Sequence, residues 1–369
     1  MNMTNTSIRV NRNEAVERLR AALPREEFQI VEIMEKVKGQ YLATDWDDEL
    51  RRKFDGLLRT VATSHVHKGQ VLEGQPRESR ALVVVGEAGT GKTESLGRLF
   101  RTHPALKGYG TVGSGCPLVT VSVPSPCTLK TLGMRLLKSI GYPLARDQKE
   151  HLIWNQVHNH LPLAGTLILH LDEMHNLTDL ANTDEIDKIR KTLKALMASP
   201  TWPVALVISG LPDIVPELEE IDEIRRRERF IRVPLLTLPD DLGIIGDIIV
   251  GLARLGGIAT ADELVTAVAP RLAHAALYRL GIMIELIHEA IELALLSGGP
   301  LTPDHFATAY TDRTGVGPLM NPFVALNWAT LDCSLVLVEQ SPEEPVLVQD
   351  PPKRGPRRKR GGSKRKEHR

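Results

Sequence analysis

The chain has 369 residues, 42% of them hydrophobic, enough for one large or two modest domains around a sizeable core. Its three cysteines, Cys116, Cys127 and Cys333, are an odd set without Cys-x-x-Cys spacing, which argues against both a disulfide framework and a zinc site. Formal net charge is zero, yet residues 353–369 hold ten Lys/Arg and one Glu, so an acidic body of about −9 ends in a basic tail of about +9, suited to nucleic acid or another polyanion.

The first residues lack a charged-then-apolar leader pattern, and no apolar run reaches the ~18 residues of a membrane span, so a cytoplasmic, membrane-free protein is expected. Residues 1–68 read as a helical extension: a short helix from Asn13, a second over 26–38, and a longer one over 46–67 that Asp45 could cap. Leu50, Phe54, Leu57, Leu58 and Val61 form its inner face. His65 and His67 close it, suiting the negative end of a helix better than a metal. Residues 69–79 read as a loop.

Residues 81–85 are an apolar run of strand length, followed by Gly86-Glu87-Ala88-Gly89-Thr90-Gly91-Lys92-Thr93 and a helix over 93–101. Strand, Gly-x-x-x-x-Gly-Lys-Thr, helix is the P-loop in the context that gives the motif meaning. The glycines let backbone N–H groups curl toward phosphate oxygens at the positive helix end. Lys92 is placed to reach the terminal phosphates and the Thr93 hydroxyl to ligate Mg²⁺. A nucleoside triphosphate is therefore the expected cofactor, with Gly86 through Thr93 as its cradle.

Glycine-rich 108–115 reads as a flexible loop, 117–123 as a strand, 128–140 as a helix, and 148–160 as another helix. The apolar strand 166–171 ends in Asp172-Glu173. Two carboxylates at a strand's C-terminal end have separable tasks: Asp172 to orient the Mg²⁺ shell, Glu173 to polarise the attacking water. His170, within the strand, reads as a buried or interface histidine rather than a catalyst. An amphipathic helix over 184–198 precedes a buried strand over 204–208, whose tip carries Ser209, a candidate γ-phosphate sensor where Asn or Thr is more usual. An adjacent Asp-Glu pair marks the P-loop branch in which a further strand, here 204–208, lies between the P-loop strand and the Asp-Glu strand.

A helix over 216–228 and a strand over 230–233 follow. Between them stands Arg225-Arg226-Arg227-Glu228-Arg229. An arginine here completes a neighbouring subunit's site in oligomeric ATPases, and Arg229, just before the strand's first apolar residue, is the favoured candidate. Five strands alternating with helices predict a doubly wound, parallel α/β core over 69–238. Beyond Pro239 only helical patterns occur, over 241–255, 262–268, 272–296 and 303–310, predicting a small all-helical lid over 239–315. Arg279, in the long lid helix, is a candidate contact to nucleotide in its own subunit. From about Thr311 the pattern fades, so 316–369 reads as poorly ordered.

These residues resemble the AAA+ ATPases of the initiator type, and within them the TniB and TnsC-like transposition ATPases. The resemblance spans roughly 25–315 and rests on Gly86–Thr93, Leu171-Asp-Glu-Met-His-Asn-Leu177, Val207-Ile-Ser-Gly-Leu-Pro212, Arg229-Phe230, and the Val-Pro-Ser-Pro run at 123–126. It implies an ATP- and Mg²⁺-dependent ATPase that assembles with itself as a ring or filament on target duplex DNA, recruits a transposase, and disassembles on hydrolysis. Thr128 and Lys130 match the region that tracks the DNA backbone, so little sequence preference is implied. Secretion ATPases of the ExeA type share part of this pattern and would act on a protein partner without DNA.

Overall fold

A computed structural model describes residues 12–63, 80–178, 183–220 and 228–337. Its centre is a five-stranded, all-parallel sheet: β1 (Ala81–Val85), β2 (Leu118–Ser122), β3 (Ile168–Asp172), β4 (Ala205–Gly210) and β5 (Glu228–Arg232). The strand order is β2-β3-β4-β1-β5, so β4 separates the P-loop strand from the Asp-Glu strand as the sequence predicted. Such a sheet buries both faces, and β1, β3 and β4 are accordingly buried along their whole length, β1 as an unbroken apolar run.

Successive side chains of β1 supply opposite cores. Ala81, Val83 and Val85 face α5 (Leu129–Ser139), α6 (Glu150–Leu163) and α7 (Thr183–Met197). Leu82 and Val84 face α3 (Asp45–Thr63) and α4 (Lys92–Thr102). From α3, Leu50, Phe54 and Leu57 are fully buried there. Each is worth about 2 kcal/mol in apolar burial, which fastens this helix beneath the sheet. His65 and His67 lie outside the described residues.

The lid comprises α9 (Leu242–Leu255), α10 (Leu264–Ala275), α11 (Leu280–Ser297) and α12 (Pro303–Thr314). Of the N-terminal helices α1 (Arg12–Ala22) and α2 (Arg25–Gly39), α2 joins the lid, burying Met34 and Val37 in its core. The N-terminal extension thus serves two units: α2 packs on the lid and α3 on the sheet.

Three expectations are corrected. The lid helix expected over 272–296 is two helices, because Leu277 and Tyr278 take positive φ (52° and 60°) and break the chain between α10 and α11. Arg279 consequently stands at the N-cap of α11, with extended backbone, rather than inside a helix. Of the helix expected over 216–228, α8 covers Val215–Glu219 and Glu228 belongs to β5 instead, while 221–227 lie outside the described residues. Residues 316–337 are packed rather than patternless. Arg271 donates to the carbonyls of Pro322 (2.6 Å) and Ala325 (2.9 Å), Asn321 donates to Ala307 O (2.7 Å), and Cys333 and Val336 are buried in the lid core. Single-turn 3-10 segments fixed by side-chain donors leave no periodicity to read. Among the described residues, no helix is long and apolar enough to cross a membrane.

Candidate nucleotide site

The site forms where β1 ends. Gly86 N–H donates to Gly210 O (3.3 Å), tying the loop's start to β4. Gly89 (φ 73°) and Gly91 (φ 90°) then take left-handed backbone that costs other residues about 1 kcal/mol or more, and this turns the loop into the first turn of α4. Lys92 is folded inward and buried, its Nζ donating to the carbonyls of Gly86 (2.7 Å) and Glu87 (2.8 Å). Burial pushes its pKa down, opposed by the charges of Glu173, Asp172 and Glu87. Thr90 closes the loop by donating to Glu87 O at 2.8 Å.

At the tip of β3, Asp172 Oδ2 accepts from Thr93 Oγ1 at 3.3 Å, and Asp172 Oδ1 accepts from Ser209 Oγ at 2.5 Å. Glu173 follows with φ 58°, an uncommon conformation for a residue with a side chain, and its carboxylate lies 3.3 Å from His175 Nε2. Ser209 is fully buried, and its hydroxyl also lies 2.8 Å from His170 Nε2. His170 is buried as expected, edge-on to Phe100.

The lid closes over the loop. Arg279 donates to Ala88 O (3.1 Å) and pairs with Glu87 (3.3 Å), and Ile282 N–H donates to Gly89 O (3.2 Å). Gly281 permits the approach: a Cβ there would stand 2.5 Å from Gly89 O. The resulting cavity holds about 510 Å³ between the P-loop, the segment joining α2 to α3, Glu173 and the start of α11. Tyr41 lines it, its hydroxyl bonded to Asp47 (2.5 Å) and Ser95 (2.8 Å) and its ring capped by Arg98 at 4.2 Å. Nothing in the sequence singled out Tyr41 or Gly281 for this place, and His175 stood out only as the histidine of the Asp-Glu-Met-His run.

The residues fit a metal–nucleotide pair. The left-handed glycines, the inward ammonium of Lys92 and the helix N-terminus suit phosphate, while Thr93 and Asp172 offer two hard oxygens at one point. Among the described residues, no group of three or more His, Cys, Asp and Glu side chains could hold a metal. Mg²⁺ is usually bound by one or two carboxylates together with phosphates, so this donor set is compatible with it.

Residues 76–218 match the family described as AAA domain. Solved structures extend the likeness beyond these residues. Cdc6p from Pyrobaculum aerophilum aligns over 74% of this chain and 69% of its own at 18% identity and TM-score 0.53. The Aeropyrum pernix ORC1 protein, solved in complex with DNA, aligns over 76% of this chain and 69% of its own at 18% identity and TM-score 0.54. The chain has an AAA+ fold. The Aeropyrum pernix ORC2 protein, solved as ADPNP–ADP complexes, also shares it, over 75% of this chain and 71% of its own at 12% identity and TM-score 0.50. No curated protein sequence matches the chain.

Within this AAA+ fold Gly86–Thr93, Asp172, Glu173, Ser209 and Arg279 come together, whereas three other candidates stand apart. Arg229 lies in β5 opposite Leu82, toward the end of the sheet away from the P-loop. Arg225, Arg226 and Arg227 fall outside the described residues, as does the basic stretch 353–369. Thr128 is the N-cap of α5 in a capping box with Thr131, and Lys130 pairs with Asp147 at 2.6 Å.

Proposed function

We propose that the chain is an ATP-dependent, DNA-binding regulator of transposition. It assembles with itself on target duplex DNA, recruits a transposase, and disassembles on ATP hydrolysis. The observation that supports the ATPase reading best is the meeting of Lys92 and Thr93, Asp172-Glu173, and Arg279 around one cavity. The DNA and transposase parts rest on the resemblance of the Asp-Glu-Met-His run to TniB-type ATPases and on the ten basic residues of 353–369. That one protein of this fold is solved with DNA is compatible with them.

In this reading the amides of Gly86 to Thr93 cradle the phosphates, and Lys92 exchanges its carbonyl partners for phosphate oxygens. Thr93 and Asp172 hold Mg²⁺, which when bound neutralises charge on the terminal phosphates. Glu173 leaves His175 to orient and polarise the attacking water. Arg279 trades Glu87 for the nucleotide, so ligand binding and lid position are linked. Arg229 serves the neighbouring subunit's site. Lys130 is free to exchange its exposed partner Asp147 for DNA phosphate at little cost, since such surface pairs contribute about 0–1 kcal/mol. Thr128 flanks it at the same helix start.

Electron microscopy of the full chain with ATP and a random-sequence duplex tests this reading. Rings or helical filaments on the DNA, absent without ATP, are expected. Particles that form equally without ATP, or never on DNA, would overturn it.

A further inference from the structure

A row of polar side chains crosses the sheet below the nucleotide cavity. Tyr109 Oη lies 2.7 Å from Thr120 Oγ1, which lies 3.1 Å from His170 Nδ1. His170 Nε2 lies 2.8 Å from Ser209 Oγ, which lies 2.5 Å from Asp172 Oδ1. Strand register assembles the row. Thr120 is the partner of His170 across β2 and β3, and His170 stands opposite Val207 in β4. Ser209, two residues beyond Val207, points to the same face, as does Asp172 two residues beyond His170. His170 and Ser209 are buried, so each polar atom here must find a partner within the protein.

The ends of the row fix its direction. An ionised carboxylate only accepts, so Ser209 gives its single proton to Asp172. Ser209 Oγ then accepts from His170 Nε2–H. A neutral imidazole carries one N–H, and Ser209 Oγ, whose own proton is already given to Asp172, places it at Nε2. With that N–H at Nε2, Nδ1 is the acceptor, and it receives the Thr120 proton. Thr120 in turn accepts from Tyr109. Every hydroxyl proton is thereby committed one way, toward Asp172.

The carboxylate is divided by this arrangement. Oδ1 accepts from Ser209 and from Glu173 N–H at 3.1 Å, while Oδ2 faces Thr93 Oγ1. We propose that His170 is a positioning residue for Asp172: through Ser209 it pins Oδ1 and leaves Oδ2 turned to the P-loop, where a metal bound with nucleotide would meet it. The inference rests on the roles given above to Thr93 and Asp172. It also gives Ser209 a task other than phosphate contact, because its one proton is already engaged. Hydrogen-bonded outer-shell groups of this kind set the orientation of metal-ligating side chains.

The test uses the full chain with Mn²⁺ as the metal probe and a non-hydrolysable ATP analogue, bound metal being read by electron paramagnetic resonance. His170→Leu and Ser209→Ala should each weaken Mn²⁺ binding about tenfold, and His170→Gln, which restores an N–H toward Ser209, should recover most of the loss. Analogue affinity in EDTA should be the same in all four proteins. Equal Mn²⁺ affinity in wild type, Ser209→Ala and His170→Leu would overturn the positioning role alone. Wild type that binds no Mn²⁺ beside the analogue would overturn the functional reading and with it this role. Nitrogen-15 spectra of histidine-labelled wild type, assigned by loss of one ring in His170→Gln, judge the row without metal, nucleotide or a folded leucine variant. A proton on Nε2 with a bare Nδ1 is expected, and the opposite tautomer would sink the proposal.

Discussion

Arg279 reaches from the start of the lid helix to the P-loop, where its guanidinium donates to Ala88 O at 3.1 Å and pairs with Glu87 at 3.3 Å. Its side chain is only 13% exposed, so this contact is partly shielded from solvent, unlike the surface pairs elsewhere on the chain. The same guanidinium is placed to receive a phosphate in exchange for the carboxylate. Arg279→Ala should therefore weaken ATP binding by roughly 1.5–3 kcal/mol, the usual worth of a hydrogen bond to a charged group. Titration with a fluorescent ATP analogue measures this, and an unchanged affinity would remove Arg279 from the site.

Gly281 lies against the P-loop backbone with no room for a side chain. Gly281→Ala favours the helix by about 1 kcal/mol in isolation, yet its Cβ would meet Gly89 O at 2.5 Å. The expected net effect is displacement of the α11 start from the P-loop. Hydrogen exchange at the Ile282 amide, now bonded to Gly89 O, should quicken in the variant while β1 stays protected. Unchanged protection at Ile282 would contradict it.

Glu173→Gln preserves shape and removes the charge assigned to the attacking water. ATP should still bind, hydrolysis should fall at least about a hundredfold, and DNA-bound oligomers should become long-lived. A phosphate-release assay and a dissociation chase from labelled duplex check both halves. Rapid release by a variant that holds intact ATP would contradict the assigned role.

Glu185 offers a pH test away from the nucleotide. It reaches from α7 to the start of α5, accepting from Leu129 N–H at 3.0 Å and from Lys188 at 2.6 Å, and these two contacts, Lys188 first, hold its pKa below the usual carboxylate value. A depressed folded pKa adds stability that is fully present above the unfolded value and lost as pH falls through the folded one. Glu185→Gln should thus cost about 1 kcal/mol at pH 7 and less at pH 3. Urea melts at both pH values measure it, and a pH-independent difference would show that charge is not the cause.

What the sequence disclosed follows from the range of the interactions. The P-loop and Asp172-Glu173 are contiguous patterns on buried strands, and the position of β4 follows from that pairing. Tyr41 and Gly281 join the site through folding alone, because residues distant in sequence meet there, whereas His175 stands in the same Asp-Glu-Met-His run as Glu173. The break at Leu277 and Tyr278 was hidden because apolar residues continue across it, and the packing of 316–337 depends on side-chain donors such as Arg271 and Asn321. Ser209 stood out as the strand's tip residue, but its partners His170 and Asp172 appear only when β3 and β4 are placed side by side.

The central claim is that nucleotide in this pocket controls assembly on DNA. Binding of an unrelated duplex, measured against salt with and without ATP for wild type and Lys92→Ala, tests it most directly. Wild type with ATP should bind with a steep salt dependence, log K falling by about 0.9 for each phosphate contacted per unit of log salt, and Lys92→Ala should gain nothing from ATP. Salt-insensitive binding, or equal binding by Lys92→Ala, would contradict the account.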